Sequence, residues 1–424
     1  MNLQRSYGNK ALTHWVLGVL FVVSSSIALF MVVDFFLGVR LRALIDPKRD
    51  QFRVSHPVYH HDLSPNFNGL GYWGTWTYPV CTDGNGFKSR CENKKLKEKS
   101  FDVAFIGDSF TEGIGLPYEK TFVGIVANRF SELKIANLGV VSYSPAIYLS
   151  KLTNLFAQGF RFKHIIVFID IADIYDEANS YDLYDNQQVV DKGEAYPFSQ
   201  FKQVRRWAIR HFPLTALGWD KAQSLFVQKF NAEHLPADVS QAMILPIETE
   251  AKEILTRTSA NTSEQKEVAG LITSAPRTSP PPVLRNIYEG IYEKDYPKSE
   301  WTYNTQSTHY GKAGVVATLE KMKREMTALV SLAKGHGAAV SVGVYPWPGQ
   351  LKYDNSNSLQ VRFWQEFCAS QCLHFYNAFP AFFSLVNETG AQKVIADYYF
   401  TGDVHFTEQG NKVIADVVLS TGLE

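Results

Sequence analysis

Phe105-Ile-Gly-Asp-Ser-Phe-Thr-Glu112 closes a short apolar run that starts at Val103. An apolar run of that length reads as a buried strand, and the Gly-Asp-Ser that follows reads as a tight turn presenting Ser109. Near the other end of the chain stands Gly402-Asp-Val-His-Phe-Thr407. A serine hydroxyl is a poor nucleophile until a base takes its proton, so it needs a His and an acid that orients the His. Ser109, His405 and Asp403 supply those three types. Asp403 reaches the His405 Nδ1 if the segment is an extended loop, which leaves Nε2 to face Ser109. Thr111 stands where a G-x-S-x-G elbow requires its second glycine, so that motif is excluded. The competing reading is an ordinary strand-end turn at Asp108-Ser109 and a helix approach at Asp403-Val-His405.

Working outward from Ser109, short apolar strands alternate with helices. Strands are expected at Val103–Ile106, Lys134–Leu138, His164–Asp170, Ala338–Tyr345 and Leu373–Tyr376. Helices are expected at Glu119–Leu133, Ala146–Gln158, Lys312–Gly335 and Gln360–Cys368. This alternation predicts an α/β fold, a three-layer α/β/α sandwich on a mostly parallel sheet. An insertion at about 179–309 interrupts it, and its Ser/Thr/Pro-rich middle, Thr256 to Pro282, reads as a loop. Helix-like pieces at Phe201–Phe230 and Val283–Glu293 are candidates for a cap over the site.

Residues 1–14 form an N-terminal tail, and 15–33 form an apolar run without a charge. At helical rise that run extends about 28 Å, enough to cross a bilayer core, and no A-x-A-like cleavage site follows it. An uncleaved single-pass anchor is expected. The flanks, Arg5 and Lys10 against Arg40, Arg42, Lys48 and Arg49, point the wrong way for export, although long domains translocate largely regardless of such charges. Asp34 to Arg53 reads as an amphipathic juxtamembrane segment. Residues 34–98 as a whole form a juxtamembrane and irregular β-rich region, and 99–424 the main domain. The cysteines fall as two close couples, Cys81/Cys91 and Cys368/Cys372, without C-x-x-C spacing. Disulfides in an oxidising compartment are favoured over zinc ligation or free thiols. Forty-two basic and 42 acidic residues cancel, so nothing marks a nucleic-acid partner.

The motifs together resemble the SGNH/GDSL hydrolase superfamily. Gly107-Asp108-Ser109 matches its block I, and Asp403 with His405 matches block V in a D-x-H form. That spacing is similar to the SGNH-like acetyltransferase domains of alginate-type polysaccharide modification. Asn137-Leu-Gly139 matches block II. The resemblance covers Lys99 to Ile174 and Ala338 to Leu419. It implies Ser109 as nucleophile, His405 as base, Asp403 as orienting acid, and the backbone N–H groups of Ser109 and Gly139 as the oxyanion hole. No cofactor is implied. One block departs: where Gly-x-Asn-Asp should stand, the chain reads Asp170-Ile-Ala172-Asp173. Losing the Asn donor costs about 10²–10³ in rate. Asn179 and Asn304 are candidate substitutes.

Other clusters carry weaker expectations. Asp170, Asp173, Asp176 and Glu177 invite a metal reading, against which stand helix N-terminal acids facing a positive dipole. His56, His60 and His61 invite another but lack a spaced fourth ligand. Tyr345-Pro-Trp-Pro348 suits a sugar-stacking platform or a rigid apolar loop. No metal site is expected. The expectation is a bacterial inner-membrane protein with its catalytic domain in the periplasm. It is a serine esterase or O-acyltransferase acting on a glycan or small acyl ester. The alternative is a catalytically impaired binding or assembly protein of the same fold.

Overall fold

The computed structural model describes residues 3–45, 52–73, 76–93, 97–184, 187–192, 212, 214–215 and 298–423. Thr256–Pro282, Val283–Glu293 and most of Phe201–Phe230 lie outside the described residues. The chain divides into two compact units, one built on the N-terminal helix and the other carrying the α/β domain.

In the first unit, α1 runs from Leu3 to Ile45 as one helix, and His14–Arg40 is long and apolar enough to cross a membrane. The segment read as juxtamembrane therefore begins as a continuation of this helix. Ser24 and Ser26 donate to the carbonyls of Phe21 and Val22, which satisfies their hydroxyls within the helix. Asp34 is buried and accepts from the backbone N–H groups of Leu214 and Thr215 and from the Thr215 hydroxyl.

The second unit opens with two antiparallel ribbons. The first pairs β1 (Arg53–His56) with β2 (His60–Leu63), and the second pairs β3 (Asn68–Trp73) with β4 (Trp76–Cys81). The stretch expected to be irregular is thus two regular ribbons, whose Phe52, Tyr59, Leu63, Tyr78 and Val80 join the main core. Cys81 is bonded to Cys91, and Cys368 to Cys372, so all four thiols are oxidised.

The central sheet comprises β5 (Ser100–Ile106), β6 (Ile135–Asn137) and β7 (Arg161–Phe168). A short antiparallel pair, β8 (Tyr181–Leu183) with β9 (Val189–Asp191), precedes its last two strands, β10 (Ala339–Val344) and β11 (Phe375–Asn377). The order is β11-β10-β7-β5-β6, and every neighbouring pair is parallel. Ile165 to Phe168 are buried on both strand faces, which is why that stretch shows no alternation. Helices α2 (Ser109–Glu112), α3 (Phe122–Arg129), α4 (Pro145–Ala157) and α5 (Asp173–Asn179) follow the first three strands. Then come α6 (Gly314–Gly335), α7 (Pro348–Tyr353), α8 (Leu359–Gln371), α9 (Phe379–Thr389), α10 (Ala391–Tyr398) and α11 (Glu408–Thr421). Helix α6 packs on α4, α5 and α8, while α11 packs on α3 and α10, which gives the three layers. In chain order of the sheet strands this is 2-1-3-4-5, with the order reversing between β5 and β7. Ligands of open α/β sheets bind beyond the strand ends at that reversal.

Candidate active site

Ser109 is the residue that the end of β5 delivers to the reversal point. Asp108 caps the turn, its Oδ1 accepting from the Phe110 N–H at 2.9 Å. Gly107 permits the turn, because a Cβ there would lie 2.2 Å from Thr111 Oγ1 and 2.8 Å from Phe168 O. The far side is held by Glu112, which is buried. It takes a two-pronged bond from Arg53 of β1 at 2.8 and 2.7 Å and another from the Val141 N–H. Burial alone would raise the Glu112 carboxyl, but the Arg53 charge and hydrogen bond hold it below its ordinary value.

The C-terminal segment folds back to meet this turn. Tyr399 and Phe406 bridge in antiparallel fashion, and Phe400 N–H donates to His405 O. Asp403 Oδ1 accepts from the His405 N–H at 2.9 Å, so the two side chains leave one tight bend together. Helix α11 anchors the bend from behind, Asn411 Oδ1 accepting the Phe122 N–H of α3 at 2.9 Å. His405 Nδ1 lies 2.5 Å from Asp403 Oδ1, and His405 Nε2 lies 2.8 Å from Ser109 Oγ. A carboxylate at Nδ1 assigns that nitrogen the proton and makes Nε2 the acceptor. Burial raises the Asp403 carboxyl, but the hydrogen bonds and charge of His405 and a bond from Trp73 outweigh it and hold it below the usual range. The structure thus brings together the three side chains that the two distant motifs name.

One residue at the site escaped the sequence reading. Trp73, at the end of β3, donates its indole N–H to Asp403 Oδ2 at 2.6 Å and sets its ring edge-on to His405, centroids 5.0 Å apart. The aromatic-rich composition of that region was visible, but no spacing rule connects position 73 with position 403. The motif names Asp108 without giving it a role: its Oδ2 lies 3.0 Å from Ser109 Oγ, and its Oδ1 also accepts from Tyr345 OH at 3.1 Å.

Gly139 packs against Thr111 and Glu112, where a Cβ would have no room. Its N–H donates to Asn137 Oδ1 at 3.0 Å, and Asn137 Nδ2 donates to Thr111 O. The Ser109 N–H opens the turn and has no helical acceptor. Ala172 gives its N–H to Asp170 Oδ1 at 2.7 Å. Asn179, one of the two proposed substitutes, gives its side-chain N–H groups to Tyr175 O and His309 O.

Trp347 is buried and donates to Asp170 Oδ2 at 2.6 Å, and Tyr345 is fully buried. The Tyr345–Pro348 loop is therefore a wall of the site, not a surface on which a sugar can stack. Glu177 caps α4 through Ser144 and Ala146 and pairs with Lys321, so it belongs to the scaffold. Asp108, Asp170 and Asp173 bring carboxylate oxygens within 4.8 Å of one another. Trp347, Ala172 N–H, Tyr148, Phe110 N–H and Tyr345 already donate to these groups. His60 and His61 meet through their Nδ1 atoms at 2.7 Å and His61 Nε2 is engaged by Val141 O, whereas His56 Nδ1 accepts from the Val58 and Tyr59 N–H groups instead of joining them.

The described residues thus place a Ser-His-Asp hydrogen-bonded chain at the reversal point of a parallel α/β sheet. No protein-family model matches the chain, and no curated protein does. A solved structure similar to it is the crystal structure of a member of the lipolytic protein G-D-S-L family from Veillonella parvula DSM 2008. The two share 10% identity, over 75% of this chain and 96% of that one, with a TM-score of 0.33.

Proposed function

We infer that the protein is a membrane-anchored serine esterase or O-acyltransferase of SGNH/GDSL type. The observation that carries the reading is the continuous contact from Ser109 Oγ through His405 to Asp403. As Oγ attacks an ester carbonyl, its proton passes to His405 Nε2, and Asp403 stabilises the resulting imidazolium. His405 then returns the proton to the leaving alkoxide, and an acyl-Ser109 ester remains. Water as acceptor regenerates the acid and completes hydrolysis, whereas a sugar hydroxyl completes transfer. The oxyanion donors are the N–H groups of Ser109 and Gly139, the latter exchanging its bond to Asn137 Oδ1 for the substrate oxygen. O-acetyl groups of a cell-envelope glycan are the proposed substrate, with α1 in a bacterial inner membrane and the domain in the periplasm. The two disulfides favour that oxidising side.

The test is covalent labelling with a fluorophosphonate together with turnover of p-nitrophenyl acetate. Both are expected in the wild type and lost in Ser109→Ala; labelling that persists in the variant rejects the nucleophile assignment. The second reading, a binding protein of the same fold, is favoured by Ala172 at the Asn position and by the engaged Gly139 N–H. Polysaccharide binding without labelling or turnover would select it.

A further inference from the structure

The Ser109 hydroxyl has one proton and two neighbours that can compete for it. His405 Nε2 lies at 2.8 Å and Asp108 Oδ2 at 3.0 Å. With His405 protonated on Nδ1 toward Asp403, Nε2 is an acceptor. An ionised Asp108 would be a second acceptor and would draw the proton away from the base. Asp108 Oδ1 already receives two donors, Phe110 N–H and Tyr345 OH, while Oδ2 has, among the described residues, Ser109 as its hydrogen-bond partner. A proton on Oδ2 gives every contact one donor and one acceptor.

We propose that Asp108 rests protonated on Oδ2 and donates to Ser109 Oγ, so that the serine proton is committed to His405. Asp108 is then a positioning residue of the esterase reading on which this rests. Its burial favours the neutral form. Asp108 is 6% exposed, and Asp170 and Asp173, 1% exposed each, crowd it from the end of β7 and the start of α5. Carboxylates this close in a buried site cannot all ionise at neutral pH. Burial pushes Asp108 up, against the Phe110 N–H, the His405 charge and the bonds of Ser109 and Tyr345. Asp170 and Asp173 are pushed well up, first by burial and then by the charge that Asp108 carries when ionised. An ionised Asp108 beside neutral Asp170 and Asp173 is therefore the competing state that the test below separates. The other titratable groups around the cluster are Tyr148 of α4, Tyr345 after β10, Asp176 of α5 and His405. The cluster shares its protons, and its alkaline step belongs to the three carboxyls jointly.

Asn reproduces the shape and donor of a protonated Asp, so substitution separates the two states. In full-length protein in detergent micelles, kcat/KM on p-nitrophenyl acetate is expected to fall on an alkaline limb. Asp108→Asn should displace that limb, since Asp170 and Asp173 still titrate, and Asp108→Ala should fall at least about tenfold at neutral pH, with Asn recovering most of the loss. Tyr345→Phe, which removes a donor that stabilises the carboxylate, should move the limb to higher pH and covers the case in which Asp108 variants do not fold. An Asn variant as poor as Ala, or an unmoved limb in Tyr345→Phe, overturns the proposal in favour of an ionised Asp108 that stabilises the imidazolium. Infrared spectroscopy supplies a readout without turnover, the carbonyl stretch of a protonated carboxyl, expected to weaken in Asp108→Asn at neutral pH. That band without any hydrolysis sinks the esterase reading and keeps the protonated Asp108; hydrolysis with the band unaltered by the substitution does the reverse.

Discussion

Trp73→Phe tests whether the β3–β4 ribbon is part of the proposed machinery. Phe keeps the ring edge against His405 and removes one group, the indole N–H 2.6 Å from Asp403 Oδ2. A hydrogen bond to a charged acceptor is worth about 1.5–3 kcal/mol. Asp403 keeps two bonds from His405, and its side chain is 15% exposed, so water can replace part of the loss. The low end applies, and at about 1.4 kcal/mol per decade kcat/KM should fall roughly tenfold. Removing the acceptor itself is far more severe: an Asn for the triad Asp costs on the order of 10⁴ in kcat. The Phe variant should therefore sit well above Asp403→Asn. A pH profile separates this from mere loosening of the ribbon. The Trp73 bond helps to hold Asp403 below its ordinary value, so its loss raises that value and shifts the acid limb upward. Esterase assays from acid to neutral pH, with unfolding curves as control, give both quantities. A Phe variant within twofold of wild type, with the acid limb unmoved, would falsify the claim that the indole positions Asp403.

Arg53→Met strands Glu112, whose side chain is 1% exposed, and should cost about 3 kcal/mol in denaturant unfolding; replacing both partners by apolar residues should recover most of it. Asp176→Asn addresses pH dependence. Burial, helped by the charge of Glu177 and opposed by that of Lys298, pushes this carboxyl up to about 7. The folded state therefore holds a proton that the unfolded chain releases near pH 4, and stability falls as pH rises from about 4 to 7. Asp176 is half-buried, so the full loss is halved to about 2 kcal/mol. Thermal unfolding across that window should be flatter in the Asn variant, and an unchanged slope removes Asp176 as its source.

Much of the fold was legible because the C-terminal halves of β5 and β7 are buried on both faces and read as unbroken apolar runs, and β10 is an apolar run interrupted by Ser341. Three of the four expected helices fall within three residues of their expected bounds, whereas the one expected at Glu119–Leu133 is confined to Phe122–Arg129, with a 3-10 turn at Tyr118–Lys120 before it. Helices α9 and α10 were not legible: Phe379-Pro-Ala-Phe-Phe383 gives no clear helical period, and tertiary packing of Phe382 on Phe406 decides the matter. The ribbons of the N-terminal region were masked by glycines and aromatics that suit irregular chain as well as strands. At the site, Ser109, Asp403 and His405 could be named from residue type and motif, whereas Trp73 depends on which surfaces the fold brings into contact. The Tyr345–Pro348 loop shows the same limit. Its composition suits an exposed sugar platform, yet its burial follows from Phe110, whose ring packs against both Tyr345 and Trp347.

The acidic cluster illustrates how topology and chemistry meet. Strands β5 and β7 are parallel neighbours in register, so the residues that follow them emerge side by side. Asp108 after one strand and Asp170 after the other are forced together by the fold, and Asp173 joins them at the start of α5. Stability does not require acids there: replacing a buried polar pair by apolar groups of the same shape is nearly neutral. The chain instead surrounds them with Tyr148, Tyr345 and Trp347, each delivering a donor to one carboxyl oxygen. Such an arrangement keeps buried acids in place without neutralising them by a cation, and its product is a carboxyl beside Ser109 whose proton is under the control of its neighbours. Turnover that indifferently tolerates Leu at all three positions would reduce the cluster to packing.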